Sequence, residues 1–136
     1  MPVIRNAQRR RTETPNAVMT TFASPTQGGA ATALWRVDMK PGQAGPLHAI
    51  DAEQIWTVLE GGASVLLGLD TIEVGPGDTL VMPADVPRRI TAAARLGVVA
   101  ICAAPASMRA YPLDGSVVGA HVATPVGDKL VPAWVA

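Results

Sequence analysis

The sequence predicts an all-β domain, a sandwich or barrel built from many short strands. Glycine and proline are dense, 13 and 12 of 136 residues. They cut the chain into short apolar runs bounded by turns, which is the punctuation of strands rather than helices. The run 54–59 is rich in β-branched and aromatic residues, the types that pack well on a pleated surface. No stretch carries a helical repeat over three turns, and 12–17 has room for one short turn at most.

Taken in order, the first strand is 33–39, ended by Lys40, Pro41 and Gly42. The second is 54–59, closed by Glu60, Gly61 and Gly62. Residues 63–69 and 71–74 follow, separated by a turn near Asp70. The run 75–78, Gly-Pro-Gly-Asp, is a turn by composition. Residues 79–82 form a strand that Pro83 stops, because proline has no N–H for a sheet ladder. Strands at 88–92 and 96–102 complete the regular core. This divides the chain into an N-terminal arm (1–32), polar and turn-rich with a loop at 26–29, a core (33–104), and a C-terminal segment (105–136). That last segment is interrupted by prolines and glycines and ends in an apolar tail around Leu130 and Trp134. Such a tail needs a surface to cover, either its own domain or a second subunit.

A chain of 136 residues with 49% hydrophobic content supports one packed domain and is short for two. Zero net charge argues against nucleic acid or an anionic membrane as partner. The run Arg9, Arg10, Arg11 reads as a solvated terminal segment. Cys102 is the single cysteine, so no internal disulfide is possible, and its apolar surroundings suit a buried, inert thiol. No early stretch reads as a signal peptide and no apolar run reaches membrane-spanning length, so a cytoplasmic protein is expected. Arginine outnumbers lysine, and alanine, glycine and proline abound, the bias of a GC-rich bacterial genome.

Two stretches carry the chemistry. Gly42, His48, Ile50, Gln54 and Gly61 fit the pattern glycine, five residues, His-x-His, three residues, an acid, six residues, glycine. Gly77, Pro83, Asp85, Arg88 and Ala92 fit glycine, five residues, Pro-x-Gly, two residues, His, three residues, Asn. On these spacings the chain resembles the cupin superfamily over about residues 33–102. The resemblance implies a single jelly-roll β-barrel, usually a homodimer. It also implies a metal held by the two histidines, the acid and the third histidine.

This sequence departs from that ligand set. Residues i and i+2 of a strand face one side, so His48 and Ile50 would both point inward. Ile50 offers no donor atom. Arg88 stands at the third histidine's place and is a protonated donor with no lone pair. Gln54 replaces the acid. No metal and no other cofactor is therefore expected.

What remains is a cavity for a small-molecule ligand, apolar or planar and carrying an anionic or carbonyl oxygen. His48, which titrates near neutrality, is the candidate base. Arg88 is the candidate partner for an oxyanion, or else a salt-bridge partner of Glu53, Glu73 or Asp85. Gln54 would supply an orienting hydrogen bond. By strand parity Trp56 and Val58 share the face of Gln54, Leu80 and Met82 come from the partner strand, and Trp35 and Val37 line the far wall, with Ile50 beside His48. Arg89 should face out. Asp85 sits where the family usually has glycine, and aspartate tolerates a left-handed turn. His121 lies outside both motifs and is expected at the surface or an interface. The chemistry implied is proton transfer, as in isomerisation, cyclisation or elimination. Cupins act in bacterial secondary metabolism, including aromatic polyketide cyclisation. The alternatives are a non-catalytic binding or sensing domain and a metal enzyme with a reduced ligand set.

Overall fold

The computed structural model describes residues 3–114, 125 and 127–136. His121 lies outside the described residues. In chain order the strands are β1 (Arg10–Glu13), β2 (Val18–Ala23), β3 (Thr32–Met39), β4 (His48–Ile50), β5 (Gln54–Gly61), β6 (Ala63–Leu67), β7 (Asp70–Val74), β8 (Thr79–Met82), β9 (Arg88–Ala92), β10 (Val98–Pro105) and β11 (Ala110–Pro112). The described residues include one 3-10 turn, Asn6–Gln8, and no α-helix. Among the described residues no helix is long and apolar enough to cross a membrane.

The strands form two antiparallel sheets, ordered β1-β2-β3-β10-β5-β8 and β11-β4-β9-β6-β7. No strand of one sheet pairs with a strand of the other among the described residues. The jelly roll is therefore an open sandwich rather than a closed barrel. Alternation fixes the faces. In β3, Ala33, Trp35, Val37 and Met39 are buried, and in β10, Val98, Ala100, Cys102 and Ala104 are. Arg88, Ile90 and Ala92 of β9 point inward while Arg89 is exposed.

β10 is the spine of the larger sheet. Its Cys102 lies opposite Trp35 of β3 on one side and Trp56 of β5 on the other. Small inward residues on β10 leave room for those two rings. The Cys102 thiol is fully buried, and burial pushes its pKa well above the usual thiol value, so it is not a nucleophile.

The chain ends do more than the sequence suggested. Residues 10–13 and 18–23 are strands that widen the larger sheet at its β3 edge. The C-terminal tail lies on its own chain. Val135 is fully buried, the Trp134 carbonyl accepts a 2.7 Å hydrogen bond from Thr21 Oγ1, and the Ala136 carbonyl accepts from Arg10 Nη2 and Thr26 Oγ1. Leu130 exchanges two backbone hydrogen bonds with Ala110 of β11.

Gly61, which closes the first motif, explains its own identity. Its φ of 71° lies in the left-handed region. A Cβ there would collide with the Gly97 carbonyl as β5 and β10 meet. Gly61→Ala is expected to destabilise the domain by more than about 2 kcal/mol through strain and collision together. Chemical denaturation measures this, and a change near zero would show that the crossing can relax.

Candidate functional site

A cavity of about 440 Å³ lies on the inner side of the larger sheet, within the usual size of small-molecule sites, about 300–1,000 Å³. Trp35, Val37 and Met39 of β3, Gln54 and Trp56 of β5, and His48 and Ile50 of β4 form its walls. The β1–β2 turn contributes Thr14 to Ala17, and the tail contributes Asp128, Leu130, Pro132 and Trp134. All three tryptophans of the chain, Trp35, Trp56 and Trp134, border this one space.

His48, Gln54, Trp35, Trp56 and Ile50 thus come together as expected from parity. Val58, Leu80 and Met82 do not border the cavity. They are buried core, 1%, 8% and 0% exposed. They lie on the inward face, but other side chains cover them. Arg88 also differs from expectation. It pairs with His48 across β4 and β9 and is fully buried, yet it does not line the cavity.

The guanidinium turns instead into the loop between β8 and β9. Its Nη2 donates to Pro83 O at 2.7 Å and Val86 O at 3.0 Å, and its Nε to Val86 O at 3.1 Å. Its Nη1 donates to Gln54 Oε1 at 3.5 Å. No carboxylate forms an ion pair with Arg88 among the described residues. Glu53, Glu73 and Asp85 are therefore not its salt-bridge partners. Backbone carbonyls solvate the charge. Burial pushes its pKa down to about 10, partly offset by Tyr111 and Asp85, so it stays cationic at neutral pH.

His48 is set by two neighbours. Its Nδ1 lies 2.8 Å from Pro46 O. A carbonyl only accepts, so Nδ1 carries the proton in the neutral ring and Nε2 keeps its lone pair. Nε2 has no hydrogen-bond partner among the described residues. Burial holds the His48 pKa below 6.5, the Pro46 carbonyl pulls it up, and the Arg88 charge pushes it down further.

Tyr111 was not found from the sequence. It borders the cavity, and its hydroxyl donates to Asp85 Oδ1 at 2.7 Å. Burial first, then the bond to Asp85, raise the Tyr111 pKa to about 12. Asp85 has φ of 62°, so it adopts the left-handed conformation of the glycine it replaces. The Lys129 ammonium sits 5.1 Å from the Tyr111 ring centroid. The one available clue was that Tyr111 is the single tyrosine of the chain.

These residues do not fit a divalent cation. Ile50 has no donor, Arg88 brings a fixed positive charge to a ligand place, and Gln54 Oε1 is already turned toward that charge. No cluster of three His, Cys, Asp or Glu side chains occurs among the described residues.

The His48 environment has a stability consequence. Its folded pKa lies below the unfolded value near 6.5. Its contribution is full above about pH 6.5 and is lost as pH falls through the folded value. His48→Asn is expected to flatten the fall in Tm between about pH 7 and pH 5. Equal slopes for the two proteins would contradict the lowered pKa.

The comparisons agree with this architecture. The cupin domain family matches residues 35–102. Among curated proteins no sequence matches the chain significantly. Among solved structures it is similar to the polyketide cyclase RemF from Streptomyces resistomycificus, with TM-score 0.65 and 22% identity over 77% of this chain and 79% of that one. It is similar to KdgF from Halomonas sp., with TM-score 0.63 and 19% identity over 77% of this chain and 94% of that one. It is also similar to the DMSP lyase DddQ from Ruegeria pomeroyi DSS-3, with TM-score 0.62 and 23% identity over 73% of this chain and 57% of that one. At these identities the structures share a fold, and activity does not transfer with it. With half of its length matched by the family and both motif spacings intact, the chain belongs to the cupin superfamily.

Proposed function

We propose that this protein is a metal-independent cupin that binds a small, largely apolar ligand carrying an anionic or carbonyl oxygen. It catalyses proton transfer on that ligand, in an isomerisation, cyclisation or elimination. The observation that carries this is His48 at the wall of an apolar, tryptophan-lined cavity, with Nδ1 tied to a carbonyl and Nε2 without a partner among the described residues. A neutral imidazole with a free lone pair is a competent general base at neutral pH. The Arg88 charge opposes protonation of His48 and favours negative charge developing on a ligand nearby. Trp35, Trp56 and Ile50 supply apolar walls, and the polyketide cyclase likeness makes a planar ligand a reasonable first choice.

A second reading is non-catalytic binding or sensing. It is favoured by the lack of a carboxylate hydrogen-bonded to His48 among the described residues, because the protonated ring then has little to stabilise it. A co-purifying ligand released unchanged would support it. We also propose a homodimer through the outer face of the larger sheet, where Leu34, Ile55, Leu59 and Val81 are exposed. Sedimentation would read a dimer, and a monomer at high concentration would contradict it.

Two measurements test the enzyme reading. Elemental analysis of protein purified without chelator should find only traces of metal, whereas about one metal per chain would overturn metal independence. For any substrate that turns over, His48→Ala should lower kcat by about 10²- to 10⁴-fold. Unchanged turnover would remove His48 as base.

A further inference from the structure

Gln54 is nine-tenths buried and borders the cavity, and the Arg88 guanidinium lies behind it. Arginine has N–H donors and no acceptor. The side of the Gln54 amide that meets Arg88 must therefore be Oε1, and the amide cannot flip without opposing two donors. Fixing Oε1 leaves the Gln54 NH₂ group as the polar edge for a ligand, and no acceptor for it is found among the described residues. Two residues along the same inward face, the Trp56 ring borders the cavity, while its indole N–H is buried away from it with no acceptor among the described residues. Position 54 of β5 thus presents to the cavity a donor with no acceptor among the described residues, and a donor left without a partner when a ligand covers it is unfavourable.

We infer that Arg88 is a positioning residue which locks the Gln54 amide, so that the cavity selects ligands offering an acceptor oxygen to β5 and discriminates against ligands that offer an N–H or O–H there. This rests on the proposed ligand-binding role of the cavity. Arg88 does not touch the ligand. It acts through Gln54, so the geometry replaces a direct cation–oxyanion contact with a polarised amide N–H. The ligand class is narrowed to a small neutral or enolisable carbonyl compound, an aromatic ketone being the simplest case.

The test uses three bicyclic probes of nearly one shape: 1-indanone, which only accepts, indole, which donates through its N–H, and indane, which does neither. Their affinities for the full chain are measured by NMR titration. Binding of indane shows that the apolar cavity takes ligands. Failure of all three to bind the folded protein would overturn the cavity reading and this inference together. For the wild type, 1-indanone should bind about fivefold or more tighter than indole, the effect of one hydrogen bond made against one donor opposed.

In Gln54→Glu the amide donor becomes a carboxylate paired with Arg88. The order of 1-indanone and indole should then reverse, while indane affinity changes less than about twofold. In Arg88→Met the lock is removed, Gln54 can present either edge, and the preference should fall toward unity. Should Arg88→Met fail to fold, Gln54→Glu alone decides. Equal binding of 1-indanone and indole by the wild type, with indane bound, would overturn the selection while leaving the cavity reading intact. A preference for 1-indanone that survives in Gln54→Glu would overturn the assignment to Gln54. A preference that survives in folded Arg88→Met would overturn the lock.

Discussion

A guanidinium buried inside a β-sandwich must have protein acceptors for its N–H groups, because bulk solvent does not reach it and the charge cannot be shed at neutral pH. Here the acceptors are the Pro83 and Val86 carbonyls of the β8–β9 loop and the Gln54 amide oxygen. The loop must adopt the shape that aims its carbonyls inward, and Asp85 takes a left-handed φ within it. Asp85 in turn receives the Tyr111 hydroxyl, which joins the loop to β11. Burying this one charge therefore couples three parts of the site. The β8–β9 loop and the Gln54 amide oxygen are held by it, and it adds to the burial that lowers the His48 pKa.

The same charge separates this cavity from a metal site. A metal centre draws lone pairs inward. In this chain the corresponding places hold an alkyl group, a cation and an amide whose oxygen already serves the cation. The positive charge is part of the fold, and it sits one layer behind the wall. A buried guanidinium in place of a bound cation would keep a favourable field for negative charge in a ligand while removing open coordination positions. It also adds to the burial that holds the His48 pKa below 6.5. The walls come from opposite ends of the chain. The β1–β2 turn and the C-terminal tail both border a space whose floor is the motif-bearing core.

The fold was legible where residue type and turn chemistry agree. β8 and β9 match the expected bounds, and β3 and β5 differ at their ends by one or two residues. Gly61 and Pro83 mark real boundaries because one needs a left-handed φ at a close approach and the other cannot donate to a ladder. β1 was hidden because its Arg-Arg-Thr-Glu sequence is that of a half-exposed edge strand. β4 and β11 span only three residues each and form through pairing with distant strands, which no local pattern records. In the site, parity placed His48, Gln54, Trp35 and Trp56 correctly, since it depends only on the pleat. Parity says which side of a sheet a residue faces and not how far its side chain reaches. For that reason Arg88, Val58, Leu80 and Met82 were placed at the cavity, whereas packing puts them beneath its surface. Tyr111 and the tail needed three-dimensional contacts to be seen.

The central proposal is that burial, reinforced by the Arg88 charge, leaves His48 neutral and unligated, with Nε2 ready to accept a proton. Long-range nitrogen NMR of the His48 ring at neutral pH, with and without added zinc, tests it most directly. The account predicts the Nδ1-protonated neutral tautomer, a pKa below 6.5, and no stoichiometric change on adding zinc. An Nε2-protonated ring, a pKa above 6.5, or a saturating shift at one zinc per chain would contradict it.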